Sequence, residues 1–356
     1  MAKPATYREQ VKIENTMRLR EFLSELHPYV KEYFRAKETT TSDKTRLSYA
    51  YDLRVFFRFL QETNPTLHDK ALSDISIEDL SMLKPVDFEE FEEYLKAYKT
   101  PDNRTETNSR TGIARKMSCL RSFYDYLCKR ELLTSNPVRL VDMPKIKEKA
   151  IIQLDTDEVA ALLDYIENYG NDLTGVKLYH YQKQKYRDIA IVTLLLGTGV
   201  RVSELVGLNI ADVDFKNNGI RIIRKGGNEM IVYFGEEVEK ALKDYLELQR
   251  NGITPLSGHE DALFLSGQKK RISVDAVEKM VKKYCSAVSV KTITPHKLRS
   301  TYGTALYRET GDIYLVADVL GHADVNTTKK HYAKLSDERR RSASKAVVLR
   351  EKLDTQ

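Results

Sequence analysis

Residues 188–205 read Asp188-Ile189-Ala190-Ile191-Val192-Thr193-Leu194-Leu195-Leu196-Gly197-Thr198-Gly199-Val200-Arg201-Val202-Ser203-Glu204-Leu205. The nearly unbroken apolar run from Ile189 to Leu196 predicts a deeply buried helix, and Gly197-Thr198-Gly199 stops it. Arg201 follows the stop directly, ahead of a second apolar segment, so rigid elements hold it on both sides. Two readings stand for it: a functional cation, or a structural arginine paired with a local carboxylate.

Working towards the C-terminus, Gly219-Ile220-Arg221-Ile222-Ile223-Arg224-Lys225 and Glu229-Met230-Ile231-Val232-Tyr233 are two β-type runs joined through Gly226-Gly227-Asn228, which is a hairpin signal. Lys225 sits at its tip, either a flexible ammonium reaching into a neighbouring site or a solubility residue. Ser273 can cap a helix with Ala276, Val277, Met280, Val281 and Tyr284 inward and Lys279, Lys282 and Lys283 outward. In Thr294-Pro295-His296-Lys297-Leu298-Arg299, Pro295 starts a helix and places His296 and Arg299 on one face, where imidazole and guanidinium make an anion site. Leu320-Gly321-His322 lies ten residues before Tyr332, one of 21 tyrosines, which spacing alone would class as an ordinary surface aromatic.

Working towards the N-terminus, residues 169–186 are polar and aromatic with no clear period and read as an inserted loop, either solvated or stacking on nucleic acid. A helical pattern starts at Thr156, and Ser135-Asn136-Pro137, Met143-Pro144 and the charged run 145–149 mark a linker. Before it, a leading helix spans about 9 to 35. A second carries Leu47, Tyr51, Val55, Phe56, Phe59 and Leu60 on one face and Lys44, Arg46, Arg54 and Arg58 on the other. A third runs from Val86 to Tyr98, and a fourth from about Thr111 to Lys129 with Arg110, Arg115, Lys116 and Arg121 along it. These basic residues are either solvated or, as a set on two helices, phosphate contacts.

At 356 residues with 41% hydrophobic content the chain has room for two cores. A net charge of +6 is compatible with a polyanionic partner without requiring one. Cys119, Cys128 and Cys285 have no metal-ligand or disulfide-framework spacing, and no 18-residue apolar run or signal segment is present. A soluble protein of the reducing cytoplasm, with no membrane anchor, fits.

Taken in order, G-T-G-V-R-V-S-E-L at 197–205, R-K-G-G at 224–227, H-K-L-R at 296–299, L-G-H at 320–322 and Tyr332 resemble the tyrosine recombinase family, the phage-type integrases and Xer recombinases. The segments S-Y-A-Y-D-L-R-V-F-F-R-F-L and R-K-M-S-C-L-R-S-F-Y-D-Y-L resemble that family's core-binding domain, so the likeness runs from about residue 40 to 335. One departure is visible: Ser300-Thr301-Tyr302-Gly303 follows Arg299, where relatives more often carry a histidine after the arginine and an alanine near Gly303. That puts local packing in doubt and leaves the six catalytic positions untouched.

The resemblance implies a mainly α protein with a small antiparallel sheet, built as a two-domain, C-shaped DNA clamp. Residues 1–140 form a SAM-like core-binding domain with an N-terminal extension, 141–154 a linker, 155–335 the catalytic domain, and 336–356 a tail that docks on a neighbouring subunit. It assigns catalysis to Arg201, Lys225, His296, Arg299, His322 and the nucleophile Tyr332, with Glu204 supporting. Two guanidiniums clamping the phosphate replace a metal, and a 3′-phosphotyrosyl link retains the bond energy, so neither cofactor nor ATP is needed. Candidate DNA contacts are Lys44, Arg46, Arg115, Lys116, Arg121, Lys279 and Lys282. The implied reaction is strand exchange through a Holliday junction by a homotetramer on two double-stranded sites, a dimer per site, with an accessory protein left open. A Xer-like role in chromosome dimer resolution is favoured by the short N-terminus. A phage or conjugative-transposon integrase is the alternative, ahead of a type IB topoisomerase or an inactive DNA-binding relative.

Overall fold

The computed structural model describes residues 6–146, 152–224, 227–322, 324–326 and 329. The chain divides into two compact units, 1–149 and 150–356.

In the first unit the leading apolar pattern folds as two helices rather than one, α1 (Tyr7–Ser24) and α2 (Pro28–Ala36). Pro28 has no N–H to continue a helix and is suited to begin one, so the chain breaks at His27 and restarts. Ser42 caps α3 (Asp43–Thr63), its hydroxyl accepting from the Thr45 amide at 3.2 Å. After the short α4 (Ile77–Ser81), α5 (Pro85–Tyr94) stops four residues before the expected Tyr98. That tyrosine instead enters β1 (Tyr98–Lys99), paired antiparallel with β2 (Thr105–Glu106) across a turn in which Asn103 adopts φ 59°. α6 (Arg110–Lys129) completes the unit. The core is aromatic: Phe56 stacks on Phe88 at 5.5 Å and meets Phe91 edge-on at 5.1 Å, while Phe123 packs edge-on against Tyr33 at 5.3 Å.

The basic faces of α3 and α6 are less open than the sequence suggests, and two of the expected DNA contacts, Lys116 and Arg46, are buried. Lys116 is 3% exposed and donates to Asp52, itself 1% exposed, at 2.9 Å. Arg46 is 8% exposed and pairs with Glu38 at 3.3 Å. Arg121 donates to the carbonyls of Val138 and Val141 at 3.2 and 2.5 Å, tying α6 to the 3-10 turn Pro137–Leu140. Lys116 and Arg46 are paired inside the unit, because a buried cation must be paired to stay ionised, while Arg121 is part-buried. Neighbouring Arg54 lies over the Phe22 ring at 4.2 Å and pairs with Glu25 at 3.3 Å, so α1 covers that part of α3. Arg115 is half exposed and also bonds Asp52, whereas Lys44 is exposed. Asp52→Ala would strand the buried Lys116 ammonium, with an expected loss of about 3–5 kcal/mol of stability. Denaturant titration checks this, and a loss below about 1 kcal/mol contradicts the assigned pairing.

The second unit opens with α7 (Thr156–Asn168), α8 (Gly175–Gln182) and α9 (Lys185–Thr198). α8 corrects the expectation of a loop over 169–186. Tyr181 anchors it, donating to the Ile166 and Glu167 carbonyls at 2.8 and 2.7 Å, with its ring seated where a Cβ on Gly170 would lie 2.3 Å away. α10 (Val202–Gly207) follows, then β3 (Val213–Asp214), β4 (Gly219–Ile223) and β5 (Glu229–Tyr233), a three-stranded antiparallel sheet in that order. α11 (Glu236–Leu248), α12 (Val274–Val288), α13 (Pro295–Thr310) and α14 (Ile313–Leu320) complete the described elements. α9 is the central post, packed by α7, α11 and α13. Its first turn is locked by a buried network in which Asp188 accepts from Arg187 at 2.6 Å and from the Tyr284 hydroxyl at 2.9 Å. The sequence 188–199 therefore sets a rigid end at Gly199, from which the site is built. Among the described residues no helix is long and apolar enough to cross a membrane.

Candidate active site

α9 terminates at Gly199, whose φ of 62° is left-handed. A Cβ there would lie 2.5 Å from the Tyr302 ring in the middle of α13 and 3.0 Å from Leu320 at the end of α14, so glycine lets the ends of α9 and α14 meet against α13. Tyr302 belongs to the stretch that departs from the family's usual pattern, and it fills this junction.

Arg201 stands at the N-cap of α10, held by Glu204. The Glu204 carboxylate accepts from the Arg201 backbone amide and from Nη1, both at 2.8 Å, and is 9% exposed. The Arg201 Nη2 donates to the Gly321 carbonyl at 2.9 Å. A guanidinium has five N–H donors, so these bonds fix its plane and leave donors for an anion. Arg299, on the second turn of α13 and 4% exposed, donates to the carbonyls of Gly199 and Leu320. Both acceptors end helices, where the dipole is negative and a cation is stabilised.

α14 closes in a Schellman turn. Gly321 adopts φ 62°, its amide donates to the Asp318 carbonyl at 2.8 Å, and the His322 amide donates to Ala317 at 2.9 Å. The backbone of His322 is thereby fixed beside both arginines. A third arginine joins them: Arg224, at the end of β4, donates to the carbonyls of Asp318 and Val319 at 3.0 and 2.6 Å. Burial pushes its pKa down; nearby Glu204 opposes that shift and Arg201 reinforces it. Four successive carbonyls, 318 to 321, thus accept from Arg224, Arg299 and Arg201.

The structure brings Arg201, Arg299, Glu204 and the His322 backbone together around one helix end. His296 is exposed on the first turn of α13, one turn before Arg299. Lys225, Tyr332 and the tail 336–356 lie outside the described residues. Lys279 and Lys282 are exposed on α12, apart from this cluster in sequence; Lys279 forms an exposed pair with Asp275 at 2.8 Å. Arg224 is the residue that sequence reasoning missed. It stood inside the quoted R-K-G-G motif, but nothing local distinguishes it from Arg221, which points to Asp212 at 2.8 Å.

The description "Phage integrase family" matches residues 153–339, and "Phage integrase, N-terminal SAM-like domain" matches 29–131. The chain belongs to the phage integrase family of tyrosine recombinases. It is 35% identical over 311 residues to a tyrosine recombinase XerC of Caldanaerobacter subterraneus subsp. tengcongensis, covering 85% of this chain and 81% of the relative. With a tyrosine recombinase XerS of Streptococcus mutans it shares 32% identity over 346 residues, covering 91% and 96%. The same fold is found in the Tn1549 transposon integrase solved with circular intermediate DNA, at TM-score 0.60 and 22% identity, covering 84% of this chain and 93% of that one. This tyrosine recombinase is Xer-like, an enzyme of site-specific DNA recombination.

Proposed function

We propose that the arginine-ringed end of α14 is the phosphate site of a DNA strand transferase. In this reading Arg201 and Arg299 clamp the non-bridging oxygens of the scissile phosphodiester, and Glu204 keeps Arg201 in plane. His296 and His322 donate hydrogen bonds to the same phosphate and manage the proton of Tyr332. The Tyr332 oxygen attacks phosphorus, the bond to the 5′ oxygen breaks, and Lys225 supplies the proton that oxygen takes up. The resulting 3′-phosphotyrosyl ester stores the bond energy until a second 5′ hydroxyl reverses the step.

The observation that carries this reading is the convergence of two guanidiniums, from α13 and from the start of α10, on adjacent carbonyls of one helix end. Rigid placement of two planar cations suits a phosphate whose charge grows in the transition state. On this basis the partner is a double-stranded recombination site. Four copies on two sites, a dimer per site, carry strand exchange through a Holliday junction, in the cytoplasm. Chromosome dimer resolution is the role that the likeness to XerC and XerS relatives favours.

A plasmid with two copies of the DNA segment selected by footprinting is expected to recombine in EDTA without ATP. A requirement for divalent metal or nucleotide would contradict the mechanism.

A further inference from the structure

Near the start of the second unit, residues 153–155 are bonded onto α13 and onto the loop that leads into it. The Leu154 amide donates to the Thr301 hydroxyl at 3.0 Å, and that hydroxyl donates in turn to the Lys297 carbonyl at 3.0 Å. Thr301 thus uses its hydroxyl both ways, once for its own helix and once for a distant segment. One turn further along α13, the Thr304 hydroxyl donates to Gln153 Oε1. Both threonines are buried, at 7% and 2% exposure, so water does not readily replace a lost partner.

Lys291, in the loop between α12 and α13, closes the other side. Its ammonium reaches the Gln153 carbonyl at 3.1 Å, Asp155 Oδ2 at 3.0 Å and Glu158 Oε2 at 2.6 Å. Glu158 accepts as well from the Asp155 amide at 2.8 Å and from the Ser289 hydroxyl at 2.7 Å. The hydrogen bond from Lys291 leads in pulling the Glu158 carboxyl down to about 2, so this pair is ionised at neutral pH. Residues 153, 154 and 155 are therefore each held by side chains from outside the segment.

The helix they hold carries Arg299. At about 100° per residue, Thr301 and Thr304 lie on the face of α13 roughly opposite to Arg299 and Tyr302. The latter two meet the ends of α9 and α14, Arg299 through the Gly199 and Leu320 carbonyls and Tyr302 beside Gly199. α13 thus runs between a polar strap on one side and the arginine cluster on the other. Its apolar packing on α9 is non-directional, whereas hydrogen bonds hold only at set lengths and angles, so the strap adds register to that packing.

We propose that the strap of residues 153–155 is a positioning element for the phosphate site: through Thr301 and Thr304 it sets the register of α13, and with it where the Arg299 guanidinium stands. The inference rests on the reading of Arg299 as a phosphate clamp given above. Thr301 and Thr304 act through Arg299, since their hydroxyls bond the strap. A change in the path of the chain at the boundary between the units reaches the helix of Arg299 through these bonds.

Thr301→Val combined with Thr304→Val keeps the side-chain shape and removes both hydroxyls. In single-turnover cleavage of a suicide duplex carrying the footprinted site, the full-length valine pair is expected to be about tenfold slower than the unaltered protein. That is a fraction of the roughly 100-fold that a misplacement of about 1 Å costs. DNA binding stays within about twofold, because affinity is summed over many phosphates. The serine pair, Thr301→Ser with Thr304→Ser, retains the hydroxyls and is expected to return to within about threefold of the unaltered rate.

The discriminating comparison is made without Arg299. If the strap acts through that guanidinium, adding the valine pair to Arg299→Gln slows cleavage by no more than about twofold further, since the group to be placed is gone. A full further loss of about tenfold means that the threonines support the fold or another group, and it overturns the inference. So does a valine pair that cleaves within about twofold of the unaltered rate, or a serine pair as slow as the valine pair. The rate constant is read from the time course and not from its amplitude, so a misfolded fraction does not imitate the loss. If the valine pair does not fold, Gln153→Leu, which removes the acceptor of the Thr304 hydroxyl, is measured in both backgrounds by the same criteria. An Arg299→Gln protein that cleaves at nearly the unaltered rate removes Arg299 as the clamp, and this inference falls with that reading.

Discussion

Arg299→Gln is expected to lower the rate of DNA cleavage about a thousandfold, while binding to the same duplex changes little. The rate loss follows from removing a fixed cation from the place where charge gathers, a loss comparable to that of an arginine finger or several oxyanion donors. Binding is spared because affinity for DNA is summed over many phosphates along both strands, of which the scissile one is a small part. The geometry adds a second expectation. Arg299 is 4% exposed and bonds the Gly199 and Leu320 carbonyls, so glutamine, which is shorter and neutral, leaves at least one of two buried acceptors open. Arg299→Lys keeps the charge but lacks the planar fork that spans two carbonyls and an anion, so it rescues only a small part of the rate. Single-turnover cleavage and a binding titration on the same DNA check both. Cleavage within about tenfold of the unaltered rate would remove Arg299 from the transition state.

Much of this fold is legible in the sequence because its strongest signals are local. The apolar run 189–196 with its double-glycine stop is a buried helix, α9, whose left-handed cap at Gly199 is what the stop requires. Pro295 does start a helix, and Ser273 does cap one. The β4–β5 hairpin is announced by two β-type runs around Gly226-Gly227-Asn228; the third strand, β3, is only two residues long and pairs by position rather than by pattern.

What local patterning could not give is which polar groups meet across the fold. Lys116 and Arg115 sit next to each other, yet one is buried against Asp52 and the other is half exposed, because Asp52 comes from a helix more than 60 residues away. The 169–186 stretch lacks helical period, yet α8 forms because one tyrosine finds a glycine to lie on. At the site, the order of Arg201, Arg299 and His322 is written in motifs, while the reason they converge is not. It is the C-terminal end of α14, an array of carbonyls that three arginines read as a negative pole. Arg224 is invisible to the same reasoning, since its role depends on Gly321 nearly a hundred residues on.

The nucleophile is the central claim, and its loss is the other large effect expected. On the proposed mechanism Tyr332→Phe removes the hydroxyl that forms the ester, so trapping on a suicide duplex should fall to nothing while DNA binding stays within about twofold. A ring lacking its hydroxyl has no second route to the same bond. On that mechanism Arg299 would still clamp the phosphate, with no attack to complete. The most direct measurement uses a suicide duplex labelled at the 5′ end of the cut strand, trapped with the full-length protein and digested for mass analysis. The account predicts that the label stays with the protein, that the adducted peptide contains Tyr332 joined to a 3′ phosphate, and that the released fragment carries a free 5′ hydroxyl. An adduct at any other residue, a linkage through a 5′ phosphate, or an adduct that persists in Tyr332→Phe would contradict it.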